Sequence, residues 1–344
     1  MALDWNDLLT QLNDTLARPL RDLRISVLDR CNLRCTYCMP EESLHARGVF
    51  LRPHYLLSDG EIELLVRVFA RLGVHKVRLT GGEPLLRPGF VELVSRIAAV
   101  AGVTDLALTT NAVLLPRHAR ALKAAGLGRI TVSLDSLDEA VFHKMAGNRG
   151  SVHEVFDGIR AAEEAGFENL KINTVVQRDV NDHTVLDLVD YFRNTGHTVR
   201  LIEFMDVGNV NHWDRELVVP SADLLKMIHD RWPLRPVAKQ PASETARRYV
   251  FTDGAGEIGF ISSITEPFCG DCSRARITAE GLFYSCLFSA KGTVLRDKIR
   301  DGMGEDELVE MIRGLWSKRA DRYSELRHHL PQRQPHVEMY RMGG

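Results

Sequence analysis

The amino-acid sequence predicts an α/β protein built on a parallel sheet. Short β-like runs alternate with amphipathic helical patterns from about residue 22 to residue 206, which gives six strand–helix units in a row. Successive helical patterns end at a glycine, where a left-handed C-cap residue is expected: Gly73, Gly102, Gly126, Gly166 and Gly196. The alternation alone leaves two architectures open, an incomplete barrel and an open doubly wound sheet.

The six predicted strands read DLRISVL, HKVRLTGG, DLALTTN, RITVSLD, LKINTVV and VRLIEFM. The helical pattern DGEIELLVRVFARLG lies between the first two strands. It carries one apolar stripe at helical spacing, formed by Ile62, Leu65, Val66, Phe69 and Leu72. The pattern changes after Gly208, so we expect a soft boundary near residue 220, between a first domain of residues 1–220 and a second of residues 221–344.

The second part of the chain reads as a mixture of helix and antiparallel hairpins. SADLLKMIHDRW predicts a helix with Ser221 as its N-cap, and the polar run KQPASETARR predicts a loop. YVFTDGAGEIGFISSI has Asp-Gly and Gly turns between β-rich runs, which predicts a hairpin, and RITAEGLFYSCLFS follows the same pattern. The segment from about Lys291 to Arg319 predicts helix again.

The predicted strands have one polar face and one apolar face, because side chains alternate along a strand. The polar face carries Arg24, Ser26, Arg78, Thr80, Thr109, Asn111, Ser133, Asp135, Lys171, Asn173, Glu203 and Met205. The apolar face carries Val77, Leu79, Leu106, Leu108, Val132, Leu134, Ile172, Leu201 and Ile202. A parallel sheet covered by helices on both sides would be apolar on both faces. The polar face therefore predicts a hollow, wetted site rather than a filled barrel interior.

Composition limits the classes of partner. The 344 residues carry a formal net charge of -2, which predicts neither a nucleic-acid nor a membrane partner. The N-terminal run MALDWNDLLTQLND lacks the features of a secretory signal, and the longest uncharged stretch, Leu106 to Pro116, is too short to span a bilayer. We therefore expect a cytoplasmic protein with reduced thiols. Its six cysteines then indicate metal chemistry rather than disulfides.

The first cysteine triplet, Cys31, Cys35 and Cys38, forms a C-x3-C-x2-C array directly after the first strand. Active sites of barrels and open α/β sheets lie at this end of the strands. Three thiolates fall one short of the four ligands that a cubane iron–sulfur cluster or a structural zinc normally has. His45 is the nearby candidate for a fourth zinc ligand, so a zinc loop and buried free thiols stay open at this point.

The second triplet, Cys269, Cys272 and Cys286, forms a C-x2-C-x13-C array, which could also be half of a zinc ribbon. The chain has no seventh cysteine, so two incomplete sets favour two clusters that each leave one iron open. Arg274 and Arg276 lie two apart on a predicted strand and share a face. Two guanidinium groups beside a cluster indicate an anion clamp, and the alternative is a solvated basic pair.

The first triplet with Tyr37, and the run Thr80-Gly81-Gly82-Glu83-Pro84, resemble the signature of radical S-adenosylmethionine (SAM) enzymes. The resemblance implies that three thiolates hold a [4Fe-4S] cluster whose fourth iron binds the amino and carboxylate groups of SAM. It also implies SAM contacts from Tyr37, Gly82, Ser133 and Met205. A glycine in such a turn permits close approach of the backbone.

The second triplet, its intervening R-x-R and the terminal Gly343-Gly344 narrow the resemblance to the GTP 3',8-cyclases of molybdenum cofactor biosynthesis, from Asp22 through Gly344. This implies an incomplete (βα)6 TIM-type barrel closed by a C-terminal α+β iron–sulfur domain. It implies catalytic roles for Arg274, Arg276, Gly343 and Gly344. The implied GTP contacts are Arg24, Arg78, Thr109, Lys171, Arg274, Ala275 and Arg276. Ala112 departs from the family, which usually has glycine there.

The implied reaction is a lyase reaction in which a 5'-deoxyadenosyl radical abstracts the 3'-hydrogen of GTP and the sugar carbon attacks C8 of guanine. The second cluster binds the guanine. The chain has no G-x4-G-K-[ST] loop, so side chains must hold the triphosphate. The implied partners are a flavodoxin- or ferredoxin-type electron donor and cyclic pyranopterin monophosphate synthase, with the chain a monomer or homodimer. Two alternatives stay open: another twin-cluster radical SAM enzyme, such as a peptide modifier, and a non-catalytic zinc or iron–sulfur protein.

Overall fold

The computed structural model describes residues 11–42, 50–238, 244–327 and 336–343. All its strands belong to one twelve-stranded sheet. In chain order the strands are β1 (Asp22–Ser26), β2 (Lys76–Thr80), β3 (Asp105–Thr110), β4 (Arg129–Ser133), β5 (Lys171–Val176), β6 (Thr198–Glu203), β7 (Leu234–Pro236), β8 (Arg247–Phe251), β9 (Glu257–Ile261), β10 (Arg274–Ile277), β11 (Leu282–Tyr284) and β12 (Thr293–Val294).

The helices of the described residues cover the outside of the barrel strands and form most of the end of the chain. They are α1 (Asp59–Arg71), α2 (Phe90–Ala98), α3 (Leu115–Ala124), α4 (Glu139–Met145), α5 (Val152–Glu164), α6 (Val185–Phe192), α7 (Ser221–Arg231), α8 (Arg296–Arg300), α9 (Glu305–Ser317), α10 (Tyr323–Leu326) and α11 (Met339–Met342). Within the ranges described, no helix combines the length and apolar character needed to cross a bilayer.

The sheet order is β12-β11-β10-β1-β2-β3-β4-β5-β6-β9-β8-β7. Strands β1 to β6 pair in parallel, and β10 and β9 continue the parallel run on the two sides. The outer strands β11, β12, β8 and β7 are antiparallel. Strands β1 to β6 lie in chain order, without the reversal of a doubly wound sheet, and in the described part of the chain β12 and β7 do not pair with each other, so the sheet is an incomplete barrel. The structure thus decides between the two architectures that the sequence left open.

The main core lies between the outer face of the sheet and the helices. Val77, Leu79, Leu108 and Val132 of the strands belong to the same buried cluster as the stripe of α1, which includes Ile62, Leu65, Val66, Phe69 and Leu72. Burying such a side chain contributes about 1.5–3 kcal/mol. The helical and strand periodicities of the sequence therefore predicted this interface correctly.

The predicted helix ends are confirmed. All five glycines expected as C-caps have positive φ: Gly73, Gly102, Gly126, Gly166 and Gly196. Ala112 also has positive φ, 67°, so the turn after β3 keeps the left-handed backbone that the glycine usual at this position would adopt without strain. Gly158 of α5 faces it, and a Cβ at Gly158 would stand 2.2 Å from the carbonyl oxygen of Ala112.

Two local predictions are wrong. Ser221 is the first residue of α7 rather than its N-cap, which is Pro220, and the Ser221 backbone N–H donates to Glu203 Oε1 at 2.8 Å. Glu203 also accepts from the backbone of Ile264 and Thr265, so it lies on the outer side of β6 and not on the cavity face. Correspondingly Ile202, which we placed on the apolar face, lines the cavity.

The predicted C-terminal hairpins are present as β8–β9 and β10–β11. Of the predicted loop KQPASETARR, residues 239–243 lie outside the described residues, and its last two residues begin β8. Strands from the second predicted domain extend the barrel sheet on both sides. The boundary near residue 220 stays a prediction.

Candidate active site

The inner face of the barrel lines a cavity of about 480 Å³. Its wall includes ten of the twelve residues predicted on the polar strand face: Arg24, Arg78, Thr80, Thr109, Asn111, Ser133, Asp135, Lys171, Asn173 and Met205. All six cysteines line the same cavity. The hollow, polar interior predicted from strand alternation is therefore confirmed, and it brings both cysteine triplets to one space.

The first triplet occupies the loop that follows β1. The backbone N–H of Leu33 points at Cys31 Sγ at 3.4 Å, and those of Cys38 and Met39 bond the carbonyl of Cys35. Burial raises the pKa of Cys31 to about 11, and the pKa values of Cys35 and Cys38 are raised further. Without a metal these buried thiols are neutral, so binding a cluster releases protons.

Tyr37, beside the last cysteine of this triplet, also points into the cavity. Its hydroxyl donates to Asp135 Oδ2 at 2.8 Å, and Asp135 Oδ1 accepts from the backbone of Val175 at 2.9 Å. Burial raises the pKa of Asp135 to about 6. The hydrogen bond to Asp135 restrains the tyrosine hydroxyl, and Ser133, the last residue of β4, lines the same cavity.

The turn after β2 packs directly under the first cysteine loop. A Cβ at Gly82 would lie 2.2 Å from the carbonyl oxygen of Arg30, so only glycine permits this approach. Glu83 is buried and accepts from Thr110 Oγ1 at 2.7 Å and from the backbone of Asn111 at 2.9 Å. Burial raises the pKa of Glu83 to about 7. These contacts tie the ends of β2 and β3 together beneath the cysteines.

The second triplet lies at the opposite end of the barrel. Cys269 and Cys272 immediately precede β10, which runs parallel to β1 with Asp22 opposite Arg274 and Arg24 opposite Arg276. Cys286 follows β11, which runs antiparallel to β10. Strand β1 therefore separates the two triplets, and its five residues span about 16 Å.

Arg274 sits directly beside the second triplet. Its Nη2 lies 3.4 Å from Cys272 Sγ. Burial raises the pKa of Cys272, but Arg274 and Arg319 outweigh it and lower that pKa to about 6. A thiol that ionises near neutral pH is suited to metal binding. Within the ranges described, no three His, Cys, Asp or Glu side chains are arranged to hold a single metal ion. The thiolates of a cluster instead bind separate irons.

Between the triplets the cavity wall is rich in cations. Arg78 Nη1 donates to Thr109 Oγ1 at 3.0 Å and to Thr131 Oγ1 at 3.1 Å, so two neighbouring strands restrain its guanidinium. Burial lowers the pKa of Lys171 to about 8, with further lowering from Arg200 and Arg129. Such crowding of buried positive charge favours an anionic ligand.

The sequence analysis missed Arg200, which lines the same wall from β6. Its Nη2 lies 3.4 Å from Thr131 Oγ1, and its Nε has no partner in the described part of the chain. The signal was present, because Arg200 and Thr198 alternate with the buried Val199 and Leu201. We missed it by placing Glu203 on the inner face.

The described end of the chain reaches the barrel. Arg276 Nη1 donates to the carbonyl oxygens of Gly343 at 2.7 Å and Met342 at 3.2 Å. A Cβ at Gly343 would lie 2.3 Å from Thr80 Cγ2. Ala275, in contrast, is fully buried and does not line the cavity. Gly344 and the zinc-ligand candidate His45 lie outside the described residues.

Comparison with known proteins agrees with this geometry. The radical SAM superfamily matches residues 25–192, and the family "Molybdenum Cofactor Synthesis C" matches residues 197–325. A GTP 3',8-cyclase from Xanthomonas campestris pv. campestris (strain B100) is 52% identical over 97% of each chain. The chain belongs to the GTP 3',8-cyclase family. The GTP 3',8-cyclase of Aquifex aeolicus is 45% identical, and the match covers 97% of this chain and 100% of that one. The GTP 3',8-cyclase of Staphylococcus haemolyticus is 42% identical, and the match covers 93% of this chain and 94% of that one.

Solved structures support the fold of this GTP 3',8-cyclase family member. Streptococcus suis SuiB bound to SAM aligns with a TM-score of 0.57 at 16% identity, covering 94% of this chain and 77% of that one. A second SuiB structure, bound to the precursor peptide SuiA, aligns with a TM-score of 0.59 and covers 94% of this chain and 76% of that one. At this identity the match shows the fold alone. As a radical SAM superfamily member the chain is an enzyme of SAM radical chemistry with a [4Fe-4S] cluster.

Proposed function

We propose that this chain is a GTP 3',8-cyclase of molybdenum cofactor biosynthesis, a lyase that converts GTP to 3',8-cyclo-7,8-dihydroguanosine 5'-triphosphate. One observation carries the proposal: two cysteine triplets flank opposite ends of one cavity, with Arg24, Arg78 and Lys171 on the wall between them. The identity to curated GTP 3',8-cyclases over almost the whole chain supports the same reaction.

In the proposed site Cys31, Cys35 and Cys38 hold the first [4Fe-4S] cluster, and Cys269, Cys272 and Cys286 hold a second one. The lining of the cavity supports the fit, because each set brings three thiols to the wall, one fewer than the four ligands that a cubane cluster usually has. When bound, the first cluster and SAM supply the radical that removes a hydrogen atom from the substrate.

The residues at the first cluster position SAM in this proposal. Gly82 brings the backbone of the β2 turn close to the cysteine loop, where no side chain would fit. Tyr37 is fixed by Asp135, and Ser133 and Met205 line the same part of the cavity wall. These residues hold the cofactor in one orientation and exclude water from the reacting atoms.

The cations bind the triphosphate. Arg24, Arg78 and Lys171 supply positive charge, and Thr109 orients Arg78 by accepting a hydrogen bond from it. Arg200 adds a buried N–H without a partner in the described part of the chain. Arg274 and Arg276 extend the clamp toward the second triplet. Ala275 presents no side chain to the cavity, so a contact with GTP would come from its backbone.

An external electron donor of the flavodoxin or ferredoxin type supplies the electron in this proposal, and cyclic pyranopterin monophosphate synthase consumes the product. The reaction is tested by anaerobic incubation of the reconstituted protein with GTP, SAM and dithionite, with the cyclised product and 5'-deoxyadenosine followed by mass spectrometry. Cys35→Ser should abolish both products, because a hydroxyl is a poor ligand for cluster iron. Cys269→Ser should abolish the cyclised product alone.

Two results would count against the proposal. Normal 5'-deoxyadenosine production by Cys35→Ser would contradict the assignment of the first cluster. Cyclised product from Cys269→Ser would mean that the second triplet has a structural role or binds zinc. A protein that cleaves SAM but does not bind GTP would instead support the peptide-modifier alternative.

A further inference from the structure

A buried network of three charged side chains underlies the second cysteine triplet, and nothing in the sequence motifs pointed to it. Arg18 Nε pairs with Asp14 Oδ2 at 2.6 Å, and Arg319 Nη1 reaches the same carboxylate oxygen at 3.2 Å. The three side chains are at most 1% exposed. We call them the Asp14–Arg18–Arg319 triad.

The triad joins distant parts of the chain. Asp14 and Arg18 belong to a tight turn before β1, in which Asp14 Oδ1 accepts from the backbone of Arg18 at 2.9 Å. Arg319 follows α9, and its guanidinium stacks 4.5 Å from the ring of Trp316, whose indole N–H donates to the carbonyl of Arg18 at 3.2 Å. These contacts fix both guanidinium groups before any cluster binds.

Each cysteine of the second triplet is tied to this network. Arg18 Nη1 donates to the carbonyl oxygen of Cys269 at 2.9 Å, and Arg319 Nη1 donates to that of Cys272 at 2.7 Å. Arg18 Nη1 also bonds the carbonyl of Asp321 at 2.7 Å. The Asp321 carboxylate accepts from the hydroxyl of Ser285, the neighbour of Cys286, at 2.6 Å.

The triad also leaves two buried donors without a hydrogen bond in the described residues, Arg18 Nη2 and Arg319 Nε, and the second of these lies 3.6 Å from Asp321 Oδ2. Arg18 Nη2 is buried and has no partner in the described residues, although Arg18 lines the cavity together with the three cysteines. A buried N–H without a partner costs about 1–3 kcal/mol, so such groups are rare in folded proteins. The Asp321 carboxylate lies 3.6 Å from Arg319 Nε and balances the second guanidinium charge, so the unpartnered N–H of Arg18 is the feature that an acceptor in the cavity would satisfy.

We infer that the Asp14–Arg18–Arg319 triad is the outer support of the second cluster, with Arg18 donating a hydrogen bond to cluster sulfur and stabilising its reduced form. The inference rests on the proposed second cluster. Hydrogen bonds to sulfur and nearby charge set the reduction potential of iron–sulfur clusters. Arg18 and Arg319 are positioning residues, because they act on the cluster and on the cysteine backbone rather than on GTP.

The test isolates the second cluster in the full-length chain. Cys31, Cys35 and Cys38 are all changed to Ala, and the protein is reconstituted anaerobically with iron and sulfide. Arg18→Gln and Arg18→Lys are compared in this background with Arg120→Gln, which changes an 84% exposed side chain of α3. The readouts are bound iron, a dithionite titration followed by electron paramagnetic resonance, and the rate of iron loss to a chelator.

Arg18→Gln should lower the equilibrium constant for one-electron reduction about tenfold and speed iron loss by a similar factor, since one charge-assisted hydrogen bond is removed. Arg18→Lys keeps the charge and should shift the same constant less. If Arg18→Gln does not fold, Arg18→Lys decides the question: a lower equilibrium constant for reduction supports the inference, and an unchanged or higher one contradicts it. Arg120→Gln should have the same bound iron, reduction potential and rate of iron loss as the parent protein.

The inference would be overturned if Arg18→Gln had the same reduction potential as the parent protein and lost iron to the chelator at the same rate. A loss of stability in the cluster-free variant without any change in potential would also overturn it, because the triad would then be a structural anchor only. A parent background that binds no iron would overturn the second cluster itself, and with it that part of the proposed function.

Discussion

Arg276 and Gly343 are joined by a hydrogen bond of 2.7 Å in which the guanidinium Nη1 donates to the backbone carbonyl oxygen. Arg276 lies opposite Arg24 on the neighbouring strand β1, so the end of the chain is held by the row of cavity residues that includes the proposed GTP contacts. The clamp prediction from sequence gave Arg276 a role toward phosphate. The structure adds a second role, the positioning of the C-terminal tail.

Gly343→Ala should reduce formation of the cyclised product tenfold or more without loss of iron from the two proposed clusters. The added Cβ would stand 2.3 Å from Thr80 Cγ2, and φ at this position is +73°. Misplacement of about 1 Å at a reacting centre costs about a hundredfold in rate. Thr80→Ser removes the clashing methyl group and should restore part of the activity. Mass spectrometry of anaerobic incubations measures both variants.

Gly254→Ala is the matched control for that variant, because Gly254 also has positive φ, +82°, but has open space around it. It should lose some stability and keep the cyclisation rate. Arg276→Gln should be non-additive with Gly343→Ala, since both act on one contact. If the effects of the two substitutions on the cyclisation rate were fully additive, Arg276 would act on GTP alone and not through its contact with Gly343.

Arg200→Gln should weaken GTP binding by about 1.5–3 kcal/mol, because a buried guanidinium makes charge-assisted hydrogen bonds to phosphate. The loss should be smaller for guanosine, which has no phosphates. Equilibrium titration of both ligands measures the difference, and Arg160→Gln, at an exposed site on α5, is the control. If Arg200→Gln weakened the binding of GTP and guanosine equally, Arg200 would not contact the triphosphate.

Binding of GTP should weaken as pH rises above about 8. Burial, with Arg200 and Arg129, lowers the pKa of Lys171 to about 8 in the free protein. A bound triphosphate favours the charged amine and raises that pKa again, so binding takes up a proton between the two values and none below them. Calorimetry in two buffers of different ionisation enthalpy at pH 7 and pH 9 measures the uptake.

Lys171→Gln should remove this pH dependence, whereas Lys226→Gln, which changes an exposed lysine, should keep it. An unchanged proton uptake at pH 9 in Lys171→Gln would assign the titration to another group.

Ala112→Gly should stabilise the cluster-free protein by about 1 kcal/mol, because alanine is strained at a φ of 67°. Gly158→Ala should destabilise it more than Ala112→Gly stabilises it, since its Cβ would meet the Ala112 carbonyl oxygen at 2.2 Å. Gly314→Ala in α9, where nothing lies within 4 Å, is the helical control and should be stabilising. Urea unfolding measures all three, and a stable Gly158→Ala protein would contradict this packing.

The fold was largely predictable because strand alternation, helical periodicity and glycine C-caps are local signals. The failures arose where distant groups decide the outcome. The first turn of α7 is stabilised by Glu203 from β6, so Ser221 is not needed as a cap. The Glu203 carboxylate accepts hydrogen bonds from the backbone of Ser221, Ile264 and Thr265, which hold it on the outer side of the sheet. The inner face of β6 is therefore formed by Arg200 and Ile202.

The candidate site followed the same rule. Cysteine spacing and the R-x-R pair identified the residues that line the cavity, since each motif is contiguous in sequence. The Asp14–Arg18–Arg319 triad was not predictable, because it joins residues separated by about 300 positions and contains no recognisable spacing. The position of Ala275 was predictable from alternation with Arg274 and Arg276, which places it on the opposite face of β10.

The pairing of β1 with β10 has a consequence for how the chain is made. Strand β1 is among the first segments to leave the ribosome, and its outer neighbour is synthesised more than 250 residues later. Until then one edge of the growing parallel sheet has no partner, which favours association with other chains. A premature stop codon shortly after the barrel helices should therefore yield insoluble fragments rather than soluble inactive ones.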